Sequence, residues 1–297
     1  MQLIAWVSMV YLGLTFGLSF SIVKIILREI ESPIVILFWQ SCFSSVLLFA
    51  LSFYSLNSLK DIVNNIGALI LLACFGVIIP NCILYLSAAH LSAGTISILL
   101  ALIPFCAYII ALILRIEQVD FIRLFGVILG FAAILFLIFP GNANNKTYFN
   151  FWLLTGLLVP IFIASTNIFL SSVRFKKVRP VHIAFGMNFI SATILSLMLP
   201  SNVNFWLSTH STKLVLYIFL LSFIGSIGFI IFIKLVKNHG PVFASQVNYL
   251  VTISGIMWGY IILSEVHSIR FWVSLFLIIG GLFLVRPIKI NEHTSTD

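Results

Sequence analysis

Apolar residues run along the chain in ten blocks separated by short polar gaps. The blocks lie near residues 4–26, 33–53, 66–86, 91–114, 122–139, 149–170, 181–199, 213–235, 241–263 and 269–286. A helix needs roughly 20 predominantly apolar residues to cross the hydrocarbon core of a bilayer, so each block predicts one membrane-spanning helix. No gap leaves room for a soluble domain. The narrowest, "LSAAHLSAG" between the third and fourth blocks, marks the least distinct boundary. The first block lacks a basic leader and a small-residue cleavage site, and it reads as a span rather than a cleaved signal peptide.

Composition agrees with this pattern. Of the 297 residues, 61% are hydrophobic and only 8% are charged, whereas a soluble domain carries about 25% charged residues. The mean hydropathy of +1.19 places the chain in a membrane. The net charge of +8 is not a nucleic-acid signal, because the Lys and Arg residues are dispersed in the gaps between blocks instead of forming one basic patch. With the N-terminus on the cytoplasmic side, eleven of these cations fall inside and five outside, with "RFKKVRP" (174–180) dominating the count. The positive-inside rule then predicts two cytoplasmic termini in a bacterial cytoplasmic (inner) membrane.

The chain also repeats itself. "IRLFGVILGFAAILFLIFP" (122–140) matches "IRFWVSLFLIIGGLFLVRP" (269–287) at six of nineteen positions. Extended backwards with a one-residue gap, the alignment pairs Glu117 with Glu265, Pro104 with Thr252 and Ser97 with Ser245. Two units of five spans each must enter the membrane in opposite directions, which is the inverted-repeat plan of many secondary transporters. The expected fold is an all-α integral membrane protein of ten transmembrane helices in two inverted five-helix repeats (5+5). The first repeat covers 1–141 and the second 142–290, and a short polar cytoplasmic tail covers 291–297.

These segments resemble the drug/metabolite transporter superfamily, EamA type. The resemblance is carried by "ALIPFCAYIIALILRIE" followed by "RLFGVILGFAAILFLI", by their copies "YLVTISGIMWGYIILSE" and "FWVSLFLIIGGLFLV", and by "TFGLSFSIVK" and "SPIVILFWQ" near the start. It covers essentially the whole chain and implies a transporter of small molecules. The sequence departs from the family pattern at Phe16, Gln40, Ile116, Thr252 and Ser264, where Trp, Arg, Gly, Pro and Gly are usual.

The chemistry available inside the spans is polar but uncharged at its centre. No Asp or Glu lies in the middle of any block, whereas a proton-coupled carrier ordinarily keeps a titratable group there. Uniport or exchange of a small organic metabolite, such as an amino acid or a nucleoside, fits better. A non-transporting sensor or assembly subunit on the same scaffold is the alternative. Candidate cavity residues are Lys24, Gln40, Asn81, Tyr85, Asn167, Asn188, Gln246, Asn248, Tyr249 and Thr252. Lys24 stands one turn from the end of its span, where snorkelling to headgroups and facing an anionic substrate are both open. Each of the others could instead form an interhelical hydrogen bond. Leu100 and Ile98 occupy the positions of Asn248 and Gln246 in the first copy, so the ninth span is expected to contribute more recognition than the fourth.

Glu117–Arg123 and Glu265–Arg270 are read as structural clamps across hairpins. Gly13, Gly17 and Ser21, with Gly126/Gly130 and Gly255/Gly259, mark close helix packing. Pro80, Pro104 and Pro160 each remove a helical hydrogen bond and predict kinks. Cys42, Cys74, Cys82 and Cys106 form no CxxC pair, and the histidines are scattered near span ends, so no metal and no cofactor is expected. No HExxH, GxSxG or Walker-type loop occurs, which argues against an enzyme. The expected partners are a small-molecule substrate and membrane lipid, with no nucleic acid, and a single copy suffices for such a fold.

Overall fold

The computed structural model describes residues 2–30, 32–52, 63–115, 118–138, 151–171, 175, 178–199 and 212–284. Every regular element among them is helical. The elements are α1 (Gln2–Leu27), α2 (Pro33–Ser52), α3 (Ile66–Ala73), α4 (Ile79–Ala88), α5 (Ala93–Leu100), α6 (Ile103–Ile113), α7 (Phe121–Ile138), α8 (Phe151–Gly156), α9 (Leu158–Leu170), α10 (Pro180–Ser196), α11 (Thr212–His239), α12 (Pro241–Ser245), α13 (Val247–Leu263) and α14 (Ile269–Leu284). Seven continuous or near-continuous helices are long and apolar enough to cross a membrane, and three shorter apolar helices accompany them. Their outward faces carry large apolar side chains, such as Leu3 and Val7 on α1, Phe121 and Ile128 on α7, and Ile269 and Phe276 on α14. Such a surface suits hydrocarbon rather than water.

Several apolar blocks are broken within their length, and proline accounts for most of the breaks. Between α3 and α4 the backbone widens into a π-type turn over Cys74–Ile78, just ahead of Pro80, which has no N–H to return to the preceding turn. Pro104 stands in the first turn of α6, after the turn at Ala101–Leu102 that separates it from α5. Pro160 follows the turn at Leu157 in the same way. The interruption at Gln246, between α12 and α13, has no proline beside it. Thr252 instead uses its hydroxyl, which donates to Asn248 O (2.7 Å) and to Ser97 O (2.9 Å). It therefore joins α13 to α5.

Helix contacts occur in corresponding pairs. α1 packs along α13 and α11, while α9 packs along α6 and α4. α2 lies on α10, and α7 lies on α14. α5 crosses α13, and α12 crosses α6. Small residues permit the closest of these approaches, since helices in lipid gain little from burying apolar surface and rely on tight contact. A Cβ on Gly17 would stand 2.7 Å from the backbone nitrogen of Gly255, and one on Gly255 would meet Ser97 Oγ at 1.9 Å. Ser254 Oγ donates to Gly13 O at 2.5 Å, and Trp258 Nε1 donates to Leu14 O at 3.1 Å. The expected small-residue seam of α1 is thus the surface on which α13 sits, and α13 is held between α1 and α5.

Candidate functional site

The helix breaks surround a central cavity of about 180 Å³. Its walls come from α1, α4, α9, α11 and α13, with single residues from α2, α5, α6 and the π-type turn. Phe16 and Phe20 of α1 and Phe229 and Phe232 of α11 form an aromatic part of the wall. Gln40, Asn81, Tyr85, Asn167 and Asn248 line it from four different helices. Half of the ten cavity candidates therefore converge on one space.

Their hydrogen bonds fix how they face it. Tyr85 donates its hydroxyl proton to Gln40 Oε1. Asn81 Nδ2 donates to Val77 O (2.7 Å), and Asn248 Nδ2 donates to Ser245 O (2.8 Å). Asn167 is 2% exposed, and its Nδ2 has no partner among the described residues. The second copy's Asn248 is polar where Leu100 stands in the first, so the asymmetry between the two copies lies at the cavity wall.

The other five candidates stand elsewhere. Lys24 does not line the cavity. Its ammonium donates to Leu91 O (2.8 Å) and pairs with Glu265 Oε1 (3.1 Å). Asn188 is buried on α10 and donates to Ala184 O of its own helix (2.9 Å). Thr252 uses its hydroxyl on α5 and its own helix, as described above. Gln246 lies at the break before α13, and neither it nor Tyr249 lines the cavity. Asn248 shares the cavity wall with Val247 and Val251, whereas Gln246 and Tyr249 lie outside it.

Glu265 has a different partner set from the hairpin clamp expected. Its carboxylate accepts from the backbone amides of Ala93 (2.8 Å) and Gly94 (3.2 Å) and from Lys24. Arg270 instead places its guanidinium over the Phe136 ring, 5.8 Å from the centroid. The arrangement answers the difficulty of an acid at a helix C-terminus. Ser264 adopts a left-handed conformation (φ 55°) that ends α13, and Glu265 follows it onto the N-terminus of α5. There the free amides and the helix dipole favour a negative charge. One carboxylate thus links the ends of α1, α5 and α13.

The companion clamp involves Glu117, which lies outside the described residues. Its expected partner Arg123 is 4% exposed and sits 5.5 Å from the centre of the Tyr108 ring. The start of α7 is further fixed by Asp120, whose Oδ1 accepts from Ile122 N at 2.8 Å in an N-cap arrangement.

The Glu265 cluster makes stability pH-dependent. Burial pushes the Glu265 carboxyl up, but the Ala93 and Gly94 amides and Lys24 outweigh it and hold the carboxyl below its usual range. His267 stacks on Phe271 with ring centroids 3.8 Å apart; burial lowers its pKa more than the neighbouring Glu265 raises it. Both folded-state values lie below the unfolded ones, so both contributions are complete above the unfolded pKa and are lost as pH falls through the folded one. The thermal midpoint of the purified protein is therefore expected to fall steadily as pH is lowered from about 7 to about 4, across the ordinary His and Glu ranges. In Glu265→Gln the part of that fall below about pH 5 should disappear. Thermal unfolding in detergent over this range checks both.

The aromatic wall had no readable signal in the sequence. Phe16, Phe20, Phe229 and Phe232 are four of 29 phenylalanines, and only the placement of α1 beside α11 selects them. Thr166 and Ser19 also line the cavity. Each bonds a carbonyl of its own helix, Phe162 O and Phe16 O respectively.

Comparison with known proteins gives a consistent picture. The sequence profile of the EamA-like transporter family matches the chain twice, over residues 3–139 and 150–286. No curated protein matches it in sequence. A solved crystal structure superposes with a TM-score of 0.61 at 15% identity, covering 93% of this chain and 96% of that one, a likeness of fold alone.

Proposed function

The chain belongs to the EamA-like transporter family, and from that premise we propose that it is a secondary transporter moving a small organic metabolite across the membrane by alternating access. The observation that carries the reading is the central cavity, to which both family repeats contribute polar side chains: Gln40, Asn81 and Tyr85 from the first, Asn167 and Asn248 from the second. A purely structural bundle gains little from such a gathering of amides at one space, because a buried amide left unsatisfied costs about 1–3 kcal/mol. A site that must bind and release a polar solute has a use for it.

Ten spans in two inverted sets of five form part of this reading. The double family match and the corresponding helix contacts support it. Placement in a bacterial inner membrane with both termini cytoplasmic, the side favoured by eleven of the sixteen Lys and Arg residues, is also part of this reading. In that orientation the Lys24–Glu265 cluster stands at the outer ends of α1, α5 and α13, and it would have to separate for those ends to move apart. The absence of acids from the span interiors supports uniport or exchange.

Counterflow in proteoliposomes tests the proposal. Vesicles preloaded with a metabolite mixture should accumulate labelled solute against its gradient without an imposed proton gradient. Strict dependence on a proton gradient would refute uniport or exchange. Failure of every metabolite pool to drive counterflow would favour the sensor or assembly reading.

A further inference from the structure

The hydrogen bonds around the central cavity specify more than polarity. Tyr85 occupies Gln40 Oε1, so the end of Gln40 left to the cavity is the Nε2 donor. Asn167 Nδ2 also lacks a partner among the described residues, but its neighbours cover it and it is not open to the cavity. Asn81 and Asn248 are the reverse of Gln40. Each commits its Nδ2 to a carbonyl of its own helix, which leaves an Oδ1 acceptor. The wall thus offers one amide donor and two amide acceptors, set against phenylalanine rings.

Charge is the second constraint. None of the described residues lining the cavity is ionisable at neutral pH. A carboxylate or ammonium taken out of water without a counter-charge pays a large desolvation cost. Lys24, the residue after Val23 of the lining, is already held by Glu265 and Leu91 O. Lys234 on α11 is exposed.

Size is the third. Pockets for drug-sized ligands run to about 300–1,000 Å³, and this cavity holds about 180 Å³.

From these features we infer that the cavity takes a neutral, planar heterocycle of free-nucleobase size whose edge carries both C=O and N–H groups. A ring carbonyl accepts from Gln40, the ring N–H groups donate to Asn81 and Asn248, and the flat faces lie against phenylalanine. Zwitterionic amino acids and anions are excluded by the uncharged wall. The inference specifies the substrate class of the transport site proposed above and rests on that reading.

Ligand-induced thermal shifts of the purified full-length protein, with uracil, hypoxanthine, orotate, 1,3-dimethyluracil and tryptophan as probes, test it. Uracil and hypoxanthine should stabilise the protein. Orotate, the same ring with a carboxylate, and dimethyluracil, the same ring without N–H groups, should each bind at least about tenfold more weakly, the factor that corresponds to one lost hydrogen-bonded contact. Gln40→Met removes the donor at similar volume and should weaken uracil by about the same factor. The inference is overturned if neither base binds, if orotate or tryptophan binds as tightly as uracil, or if Gln40→Met keeps wild-type affinity.

Counterflow of labelled uracil separates the two claims. Binding without exchange would refute transport and leave the assigned chemistry standing. Exchange of tryptophan without binding of either base would refute the assigned chemistry and leave transport standing.

Discussion

Replacing Glu265 by Gln should destabilise the protein by about 3 kcal/mol, the low end of the range for breaking a buried ion pair. The low end applies because the two side chains retain 21% and 11% exposure at Lys24 and Glu265. Lys24→Met should cost less, about 1–2 kcal/mol, the scale of one hydrogen bond to a charged group. The asymmetry follows from the partners left behind. Without Lys24, the carboxylate still accepts from the Ala93 and Gly94 amides. Without the carboxylate, those amides and the ammonium lose their charged partner together, and only Leu91 O remains for Lys24. The double variant should cost less than the sum of the two single ones, since both remove the same pair. Reversible unfolding of the four proteins in mixed micelles measures this cycle. Equal costs for the two single variants, or strict additivity, would show that the three helix ends are not joined through one carboxylate.

The second large effect concerns Gly17, where helix propensity and packing demand opposite outcomes. Alanine is the better helix former by about 1 kcal/mol, so a glycine in an open part of a helix should gain from the exchange. Gly67 is such a control, with nothing within 4 Å of the position its Cβ would take. At Gly17 the new methyl would meet Ser254 Oγ at 2.1 Å and the Gly255 backbone nitrogen at 2.7 Å. The hydroxyl is engaged with Gly13 O, and a backbone atom cannot move aside without shifting α13 as a whole. Gly17→Ala is therefore expected to lose about 2–3 kcal/mol, toward the upper part of the usual overpacking range. Gly67→Ala should be neutral or stabilising by up to about 1 kcal/mol. The same unfolding measurement decides it, and a Gly17→Ala protein as stable as the parent would mean that α1 and α13 are not in backbone contact. Because α1 also lines the cavity through Phe16 and Phe20, the loss should extend to solute binding.

The sequence was most informative where one helix could be judged alone. The apolar blocks predicted nearly every described helix to within a few residues, because spanning length and hydropathy are properties of a single segment. Pro104 and Pro160 located two of the breaks by the same logic, since a missing N–H acts on its own helix. The break at Gln246 carried no such mark, and Thr252 in the proline's place joins two helices.

Among the polar candidates the division follows from the same distinction. Gln40, Asn81, Tyr85, Asn167 and Asn248 stood out as polar groups inside apolar runs, and all five line one cavity. Nothing in the sequence separated them from Asn188, Gln246, Tyr249 and Thr252, because the direction of a side chain depends on which neighbour its helix rests against. Lys24 and Glu265 are 241 positions apart, and the sequence offered each a nearer explanation, headgroups for one and Arg270 for the other.

The amino-acid sequence by itself determined that the chain is a bundle of membrane helices, that it is written in two related copies, and that its spans carry no acid at their centres. Hydropathy, repetition and composition are summed along the chain and need no knowledge of what packs on what. Only the tertiary structure decided which amides face a common space, which of their atoms are left free, and which carboxylate joins α1, α5 and α13. Those outcomes depend on distances of a few ångströms between residues far apart in the chain, set by the small residues that bring particular helix backbones into contact.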